Sequence, residues 1–381
     1  MKDKSESDLE SIISRCVRDK NYRENINRRI DEVIDLLDAG HSVQYSPILE
    51  LARSRIRVRK KYTLWNRLFL DEYSARYSTP EMIGKYRSGR IHGYVIDIGS
   101  GSGMQCIMFG LKDECLGIER ERLRYLSSII NADVYGSKSR FRNDDFYSIT
   151  DVSADIVFSD PLRMNTHDLR KLVPSPYDIM DRIKSDSYVF DVPPHTDLQT
   201  ITFEGEKEYI SVDGVLSRLT VYSGKLMEAE FSAHIMPAGI HITGSPYTGS
   251  FASPHVYDYI YVVDPAVAAA GLMEEFSDMA LISRDDRRTV LSSESFRKDF
   301  PGMVFSVIGI YEWPDLEKKI AEIKPRKVYL RYGISSEDYY AITAKLEYPG
   351  GSGDLYIFKF SDRYVLANKI FDINYNMKAN L

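Results

Sequence analysis

The stretch Tyr94-Val95-Ile96-Asp97-Ile98-Gly99-Ser100-Gly101-Ser102-Gly103 constrains this chain more than any other. An apolar run carrying one acid breaks into three alternating glycines. The pattern reads as a buried strand, a tight turn and a helix start. Glycine has no Cβ and tolerates positive φ, so the backbone of such a turn can approach a ligand closely. The dinucleotide-binding fingerprint would place its last glycine at position 104, which holds Met104.

The pattern around this turn is α/β. Strands are expected at 93–98, 115–119, 139–143, 154–159 and 187–191, with helices at about 103–111 and 121–132 between the first pairs. Alternation of this kind implies parallel pairing in a doubly wound sheet. Hairpin-like segments follow at 208–212 and 217–222. Residues 232–256, rich in Gly, Pro, Ser and His, read as loops. A second α/β stretch starts near Tyr257, with strands at 258–263, 303–311, 327–331, 354–360 and 363–369 and helices at 266–276, 315–323 and 336–345. Before the sheet, apolar stripes at Leu9, Ile12, Ile13, Val17 and Ile26, Ile30, Val33, Ile34, Leu37 predict two amphipathic helices, with a third after Ser46-Pro47. The expected divisions are a helical segment at 1–88, a Rossmann-like unit at 89–256 and a small α/β unit at 257–381.

Net charge is −6, so bulk charge does not make the chain a polyanion binder, yet residues 51–90 hold 11 Lys/Arg against 3 Asp/Glu. This basic segment is interleaved with Tyr62, Trp65, Phe69, Tyr73 and Tyr77. It suits either RNA contact, with phosphates on the cations and bases on the rings, or a solvated helix over an aromatic core. The core role is favoured for most of the rings. The three cysteines, Cys16, Cys106 and Cys115, have no metal-binding spacing and are odd in number, so neither a disulfide framework nor a cysteine-based zinc site is expected. The seven histidines are scattered, and no metal is expected. A polar, acidic start and the lack of a long apolar run predict no signal peptide, no membrane span and a cytoplasmic chain.

Further motifs follow the glycine turn in order. Glu119 ends the second strand about 20 residues after Gly99, where a carboxylate can accept from both hydroxyls of a ribose. Asp145 and Phe146 follow the third strand, with Asp144 an alternative acid; an acid there can accept from an adenine amino group while a ring packs on its face. Asp160-Pro161-Leu162-Arg163 closes the fourth strand.

This succession resembles the cofactor motifs of class I S-adenosylmethionine (SAM)-dependent methyltransferases. The stretches Val192-Pro193-Pro194-His195, Asp264-Pro265-Ala266-Val267 and Lys327-Val328-Tyr329-Leu330-Arg331-Tyr332-Gly333 are similar to a prokaryotic methyltransferase family with a C-terminal THUMP-like domain. The resemblance implies SAM as cofactor, bound by Asp97, Gly99, Ser100, Gly101, Ser102, Gly103, Glu119, Asp145 and Phe146. It implies a catalytic group of Asp160, Pro161 and Arg163, with Asp160 orienting the nucleophile or taking its proton. It also implies an RNA acceptor, tRNA or rRNA. In exocyclic-amine methyltransferases a second proline and an aromatic stand where this chain has Leu162 and Arg163, so that subclass is disfavoured. The same residues accommodate methylation of a protein or small molecule, or a non-catalytic SAM-fold module. A nicotinamide oxidoreductase is disfavoured by Met104.

Overall fold

The computed structural model describes residues 4–150, 152–161, 166–285 and 287–376. Contacts divide the chain into two units, residues 1–205 with 220–227, and residues 206–219 with 228–381.

The first unit opens with α1 (Lys4–Arg18) and α2 (Lys20–Asp38). They break at Asp19, whose carboxylate caps α2 by accepting the Tyr22 N–H at 2.9 Å. Next come α3 (Pro47–Arg57), capped by Ser46, and two short helices, α4 (Glu72–Tyr77) and α5 (Glu81–Arg90). The glycine turn joins β1 (Tyr94–Ile98) to α6 (Met104–Gly110). Then follow β2 (Glu114–Glu119), α7 (Arg122–Tyr135), β3 (Arg140–Asn143), β4 (Ala154–Ser159), α8 (Pro176–Arg182) and β5 (Ser185–Val192). The strands run in the order β3-β2-β1-β4-β5, all parallel. The order reverses between β1 and β4, and a crevice at the C-terminal ends of the strands is the expected ligand position in such a sheet.

Residues 4–90 bury their apolar faces on the outer helices of this sheet. Leu9, Ile13, Ile26, Ile30, Leu51 and Phe69 pack with Leu123, Leu126 and Ile130 of α7. Tyr62, Leu68, Leu70 and Ala75 pack with Met104, Ile107 and Met108 of α6. Asn131, fully buried on α7, ties the two layers. Its side chain accepts the Phe69 N–H at 2.9 Å and donates to the Phe69 carbonyl and to the Ser102 carbonyl of the glycine turn, each at 3.1 Å.

The hairpin of β6 (Glu206–Val212) and β7 (Val215–Tyr222) follows. In the first unit, Thr220 Oγ1 accepts from buried Arg87 of α5 at 2.9 Å. Arg87 also pairs with Asp191 of β5 at 2.7 Å, both groups shut off from solvent. The Asp191 charge holds this guanidinium protonated against the cost of burial.

The second unit places β6 parallel to β8 (Phe231–Met236), with β9 (Ile240–Gly244) antiparallel at the edge. These strands occupy part of the region expected to be loops. The sequence hides them because Ser232 and His234 stand inside a wholly buried strand and β9 is half-exposed. The chain continues through β10 (Tyr259–Val263), α9 (Pro265–Ala270), β11 (Ala280–Arg284), β12 (Thr289–Ser293), β13 (Gly302–Tyr311), α10 (Trp313–Ile323), β14 (Lys327–Leu330), α11 (Ser336–Leu346), β15 (Asp354–Phe360) and β16 (Arg363–Asp372). They form a seven-stranded sheet, β11-β12-β10-β13-β16-β15-β14. Leu316 and Ile320 of α10 and Leu346 of α11 pack on Leu355, Ile357 and Leu366.

A second correction concerns the cysteines. Cys106 of α6 and Cys115 of β2 are disulfide-bonded, and Cys16 is free and buried. The odd count concealed one pair plus one single residue, brought together because α6 turns straight back into β2. No helix among the described residues is long and apolar enough to cross a membrane.

Breaking the buried Arg87–Asp191 pair on one side is expected to be costly, because the other charge stays buried. Arg87→Met should lower unfolding free energy by about 3–5 kcal/mol, and Arg87→Met with Asp191→Leu by clearly less. Urea unfolding of both variants checks this.

Candidate functional site

Three carboxylates converge where β1, β2 and β4 end. Asp97 lies opposite Gly117 of β2 and Phe158 of β4 in the strand register. Glu119 is the last residue of β2, and Asp160 directly follows β4. Asp97 is buried, and its carboxyl is pushed up to about 8, first by burial, then by the charges of Asp160 and Glu119. The Cys106 N–H and Arg87 act against this rise without cancelling it. Burial also holds the Glu119 carboxyl above its usual range, opposed by the Glu121 and Gly101 N–H groups. A buried acid whose proton affinity is raised by burial and by neighbouring carboxylates marks a candidate functional site.

The glycine turn is shaped by backbone demands. Gly99, Gly101 and Gly103 have φ of +74°, +57° and +86°. A Cβ on Gly99 or Gly101 would point into open space. On Gly103 it would come within 2.8 Å of Phe141 and Ser128. The Gly99 and Ser100 N–H groups donate to the Ile118 carbonyl, and the Gly101 N–H donates to Glu119 at 2.8 Å. Glu119 also accepts from the Glu121 N–H at 2.7 Å. Ser102 is buried, its carbonyl held by Asn131.

Asn143 at the end of β3 donates to the carbonyls of Glu119 at 2.8 Å and Arg120 at 2.9 Å. This draws the segment that follows towards the end of β2. There Asp145 accepts the Tyr147 N–H at 2.8 Å, and Asp144 pairs with Arg142. Phe146 is buried edge-on to the exposed Tyr147. Pro161 is buried. Leu162 and Arg163 lie outside the described residues.

The basic segment is not one exposed face. Arg55 is buried, donating to Asn27 at 2.7 Å and to the Leu68 carbonyl at 3.0 Å. Arg87 is buried with Asp191, while Arg59, Arg67 and Lys85 pair with Asp38, Glu24 and Glu81. Arg53, Arg57, Lys60 and Arg76 are exposed. The aromatics divide as well. Tyr62 and Phe69 are core, Trp65 packs against it, and Tyr73 and Tyr77 are on the surface.

In the second unit, Glu206, Glu208 and His241 have ligand atoms within 4.8 Å of one another, a spacing the sequence did not suggest. The protein itself engages them. Glu206 accepts from Ser232 Oγ and from the Glu228 N–H, and His241 lies 3.8 Å from Glu208 and 3.6 Å from Glu228.

No protein-family model matches the chain, and no curated protein matches it. A crystal structure of a candidate methyltransferase from Porphyromonas gingivalis W83 superposes with a TM-score of 0.70 at 18% identity, covering 93% of this chain and 99% of that one. At that identity the likeness shows a shared fold. A methyltransferase from Pyrococcus furiosus (TM-score 0.34, 14% identity) covers 45% of this chain and 98% of its own. The T. thermophilus 16S rRNA N2 G1207 methyltransferase, solved with AdoMet and guanosine, has a TM-score of 0.33 at 14% identity over 40% of this chain and 45% of its own.

The buried acid at Asp97 has a stability consequence. Its folded-state value of about 8 lies above the unfolded value, roughly 3.9. As pH rises between the two, the unfolded chain ionises while the folded one holds its proton, so this group lowers stability, and the loss levels off above the folded value. Asp97→Asn should therefore melt higher than wild type without ligand, by a margin that widens from pH 5 to pH 8. Thermal melts across that range check the sign.

Proposed function

We propose that the first unit binds SAM at the C-terminal ends of β1, β2 and β4 and transfers its methyl group to RNA. The convergence of buried Asp97 and Glu119 with half-buried Asp160 beside the glycine turn carries this reading. SAM brings a sulfonium and an ammonium, which a carboxylate cluster attracts, and a ribose diol, which Glu119 can accept from. A dinucleotide brings a pyrophosphate, which the same cluster repels. The open space over Gly99 and Gly101 supports close approach of the methionine part to the turn backbone. Asp145 is the acceptor for the adenine amino group in this reading, and Phe146 and Tyr147 supply the neighbouring rings.

Methyl transfer is an in-line displacement. The acceptor's lone pair forms a bond to the methyl carbon, the carbon–sulfur bond breaks, and S-adenosylhomocysteine leaves with a neutral sulfur. The chain's tasks are alignment and exclusion of water. Asp160 orients the nucleophile and takes its proton. Arg163, which lies outside the described residues, is the third member of the catalytic group that the resemblance implies. RNA is favoured as acceptor by the exposed cations and rings of residues 53–77, and by the resemblance of residues 257–381 to a THUMP-like domain. The latter is a fold-level analogy and a weaker support.

Incubation with methyl-labelled SAM and separated RNA and protein fractions tests the reading. Label is expected in RNA. Asp160→Asn should slow transfer by roughly 100-fold or more, the scale of a lost proton acceptor, while SAM still binds. Label confined to protein, or to small molecules, would remove RNA from the reading.

A further inference from the structure

The first unit carries a structured feature that cofactor binding does not use. Helix α4 is six residues long, too short to persist alone, and it is fixed at both ends. Asp71 caps its start by accepting the Ser74 N–H at 2.9 Å. Lys61 Nζ donates to the carbonyls of Ala75 at 3.0 Å and Arg76 at 2.8 Å at its end. Ala75 is buried in the cluster that contains Met104 and Ile107 of α6. The preceding strap, at Phe69, is tied through Asn131 to Ser102 of the glycine turn. Asp71 also accepts from Arg124 of α7 at 3.2 Å. Helix α4 is thus anchored to the elements that form the glycine turn and flank it.

The outer face of this helix is aromatic. Tyr73 and Tyr77 are one helical turn apart, with ring centroids 4.7 Å apart and planes tilted by 46°. They are 41% and 51% exposed. The Arg124 guanidinium lies 4.3 Å from the Tyr73 ring centre and covers one face of it. Arg124 therefore holds Tyr73, and Tyr73 supports Tyr77, the more open ring. Burial raises the Tyr73 phenol above its ordinary value, and the Asp160 carboxylate is near enough to push the same way against Arg124. Arg124 in turn acts on Glu119. Tyr73 consequently stands within electrostatic reach of Asp160, and Arg124, which covers its ring, within reach of Glu119.

Two exposed rings flanked by guanidinium groups suit a base with its phosphates. Arg76 lies 5.2 Å from the Tyr77 ring centre. A cavity of about 700 Å³ adjoins α4 and is lined by Tyr45, Glu50, Arg53, Arg57 and Glu72. Burial and the Asp71 charge push the Glu50 carboxyl upward. The residues after Asp160 in sequence, Pro161 to Asn165, include no aromatic ring. A ring to hold a planar acceptor has to come from another element.

We propose that Tyr77, supported by Tyr73 and Arg124, stacks on a base of single-stranded RNA and presents the acceptor nucleotide to the Asp160 side of the pocket. Arg53 and Arg57 then meet flanking phosphates. Stacking on a ring is tolerant of base identity, and the phosphate contacts make binding salt-dependent. This assignment rests on the methyl-transfer reading and adds the residues that hold the substrate.

The test uses the full chain saturated with S-adenosylhomocysteine and a fluorescent single-stranded oligoribonucleotide of mixed sequence, read by anisotropy. Tyr77→Ala should weaken RNA binding roughly 5- to 100-fold, the range for one lost base stack. Tyr77→Trp should restore it, and Tyr73→Ala should give a smaller loss. Arg53→Gln with Arg57→Gln should flatten the dependence on salt. S-adenosylhomocysteine affinity and melting temperature should stay at wild-type values in all of these. Wild-type RNA affinity in Tyr77→Ala, or capture of protein in place of RNA, would overturn the stacking role while leaving the cofactor reading intact. Failure of folded wild-type protein to bind S-adenosylhomocysteine would overturn the reading beneath it.

Discussion

Burial first, and the nearby charges of Asp160 and Glu119 after it, push the Asp97 carboxyl up to about 8 near the end of a buried parallel strand. An ionisable acid placed there lowers the stability of the ligand-free fold, since it keeps a proton that the unfolded chain would release. Strain of this electrostatic kind is maintained when a ligand relieves it. A cation does so, and a phosphate makes it worse. In the proposed reading the acidic character of this edge favours a cationic cofactor over one that brings a pyrophosphate.

The remaining architecture serves that edge. The reversal of strand order between β1 and β4 opens the crevice, the positive-φ glycines clear its floor, and α6 and α7 flank it. The N-terminal helices are part of the same construction. Their apolar faces are completed by α6 and α7, and Asn131 binds the strap before α4 and the glycine turn with three hydrogen bonds. Such sharing of supports is how a short helix acquires a fixed pose beside the glycine turn.

The central strands were legible because parallel strands buried on both faces read as continuous apolar runs, as in Tyr94–Ile98 and Ala154–Ser159. The glycine turn and the acids after it follow from spacing. Other features depend on tertiary placement that spacing does not encode. Ser232 and His234 conceal β8, and the Cys106–Cys115 bond depends on a seven-residue helix folding back. Arg55 and Arg87 sit in what reads as a solvated basic run, yet each is buried against specific acceptors. Tyr62, Phe69, Tyr73 and Tyr77 recur at near-helical spacing, but the chain leaves the helix between α3 and α4. The first two turn inward and the last two outward.

The most direct measurement is a calorimetric titration of the ligand-free chain with SAM and, separately, with NAD, in two buffers of different ionisation heat. An ammonium beside Asp97 favours its ionised form, so SAM should bind with release of a fraction of a proton near pH 7, tighten as pH rises towards 8, and change little above it. NAD should not compete. Absence of SAM binding by the folded chain, proton uptake on binding, or NAD binding as well as SAM would contradict a pocket built for a cation.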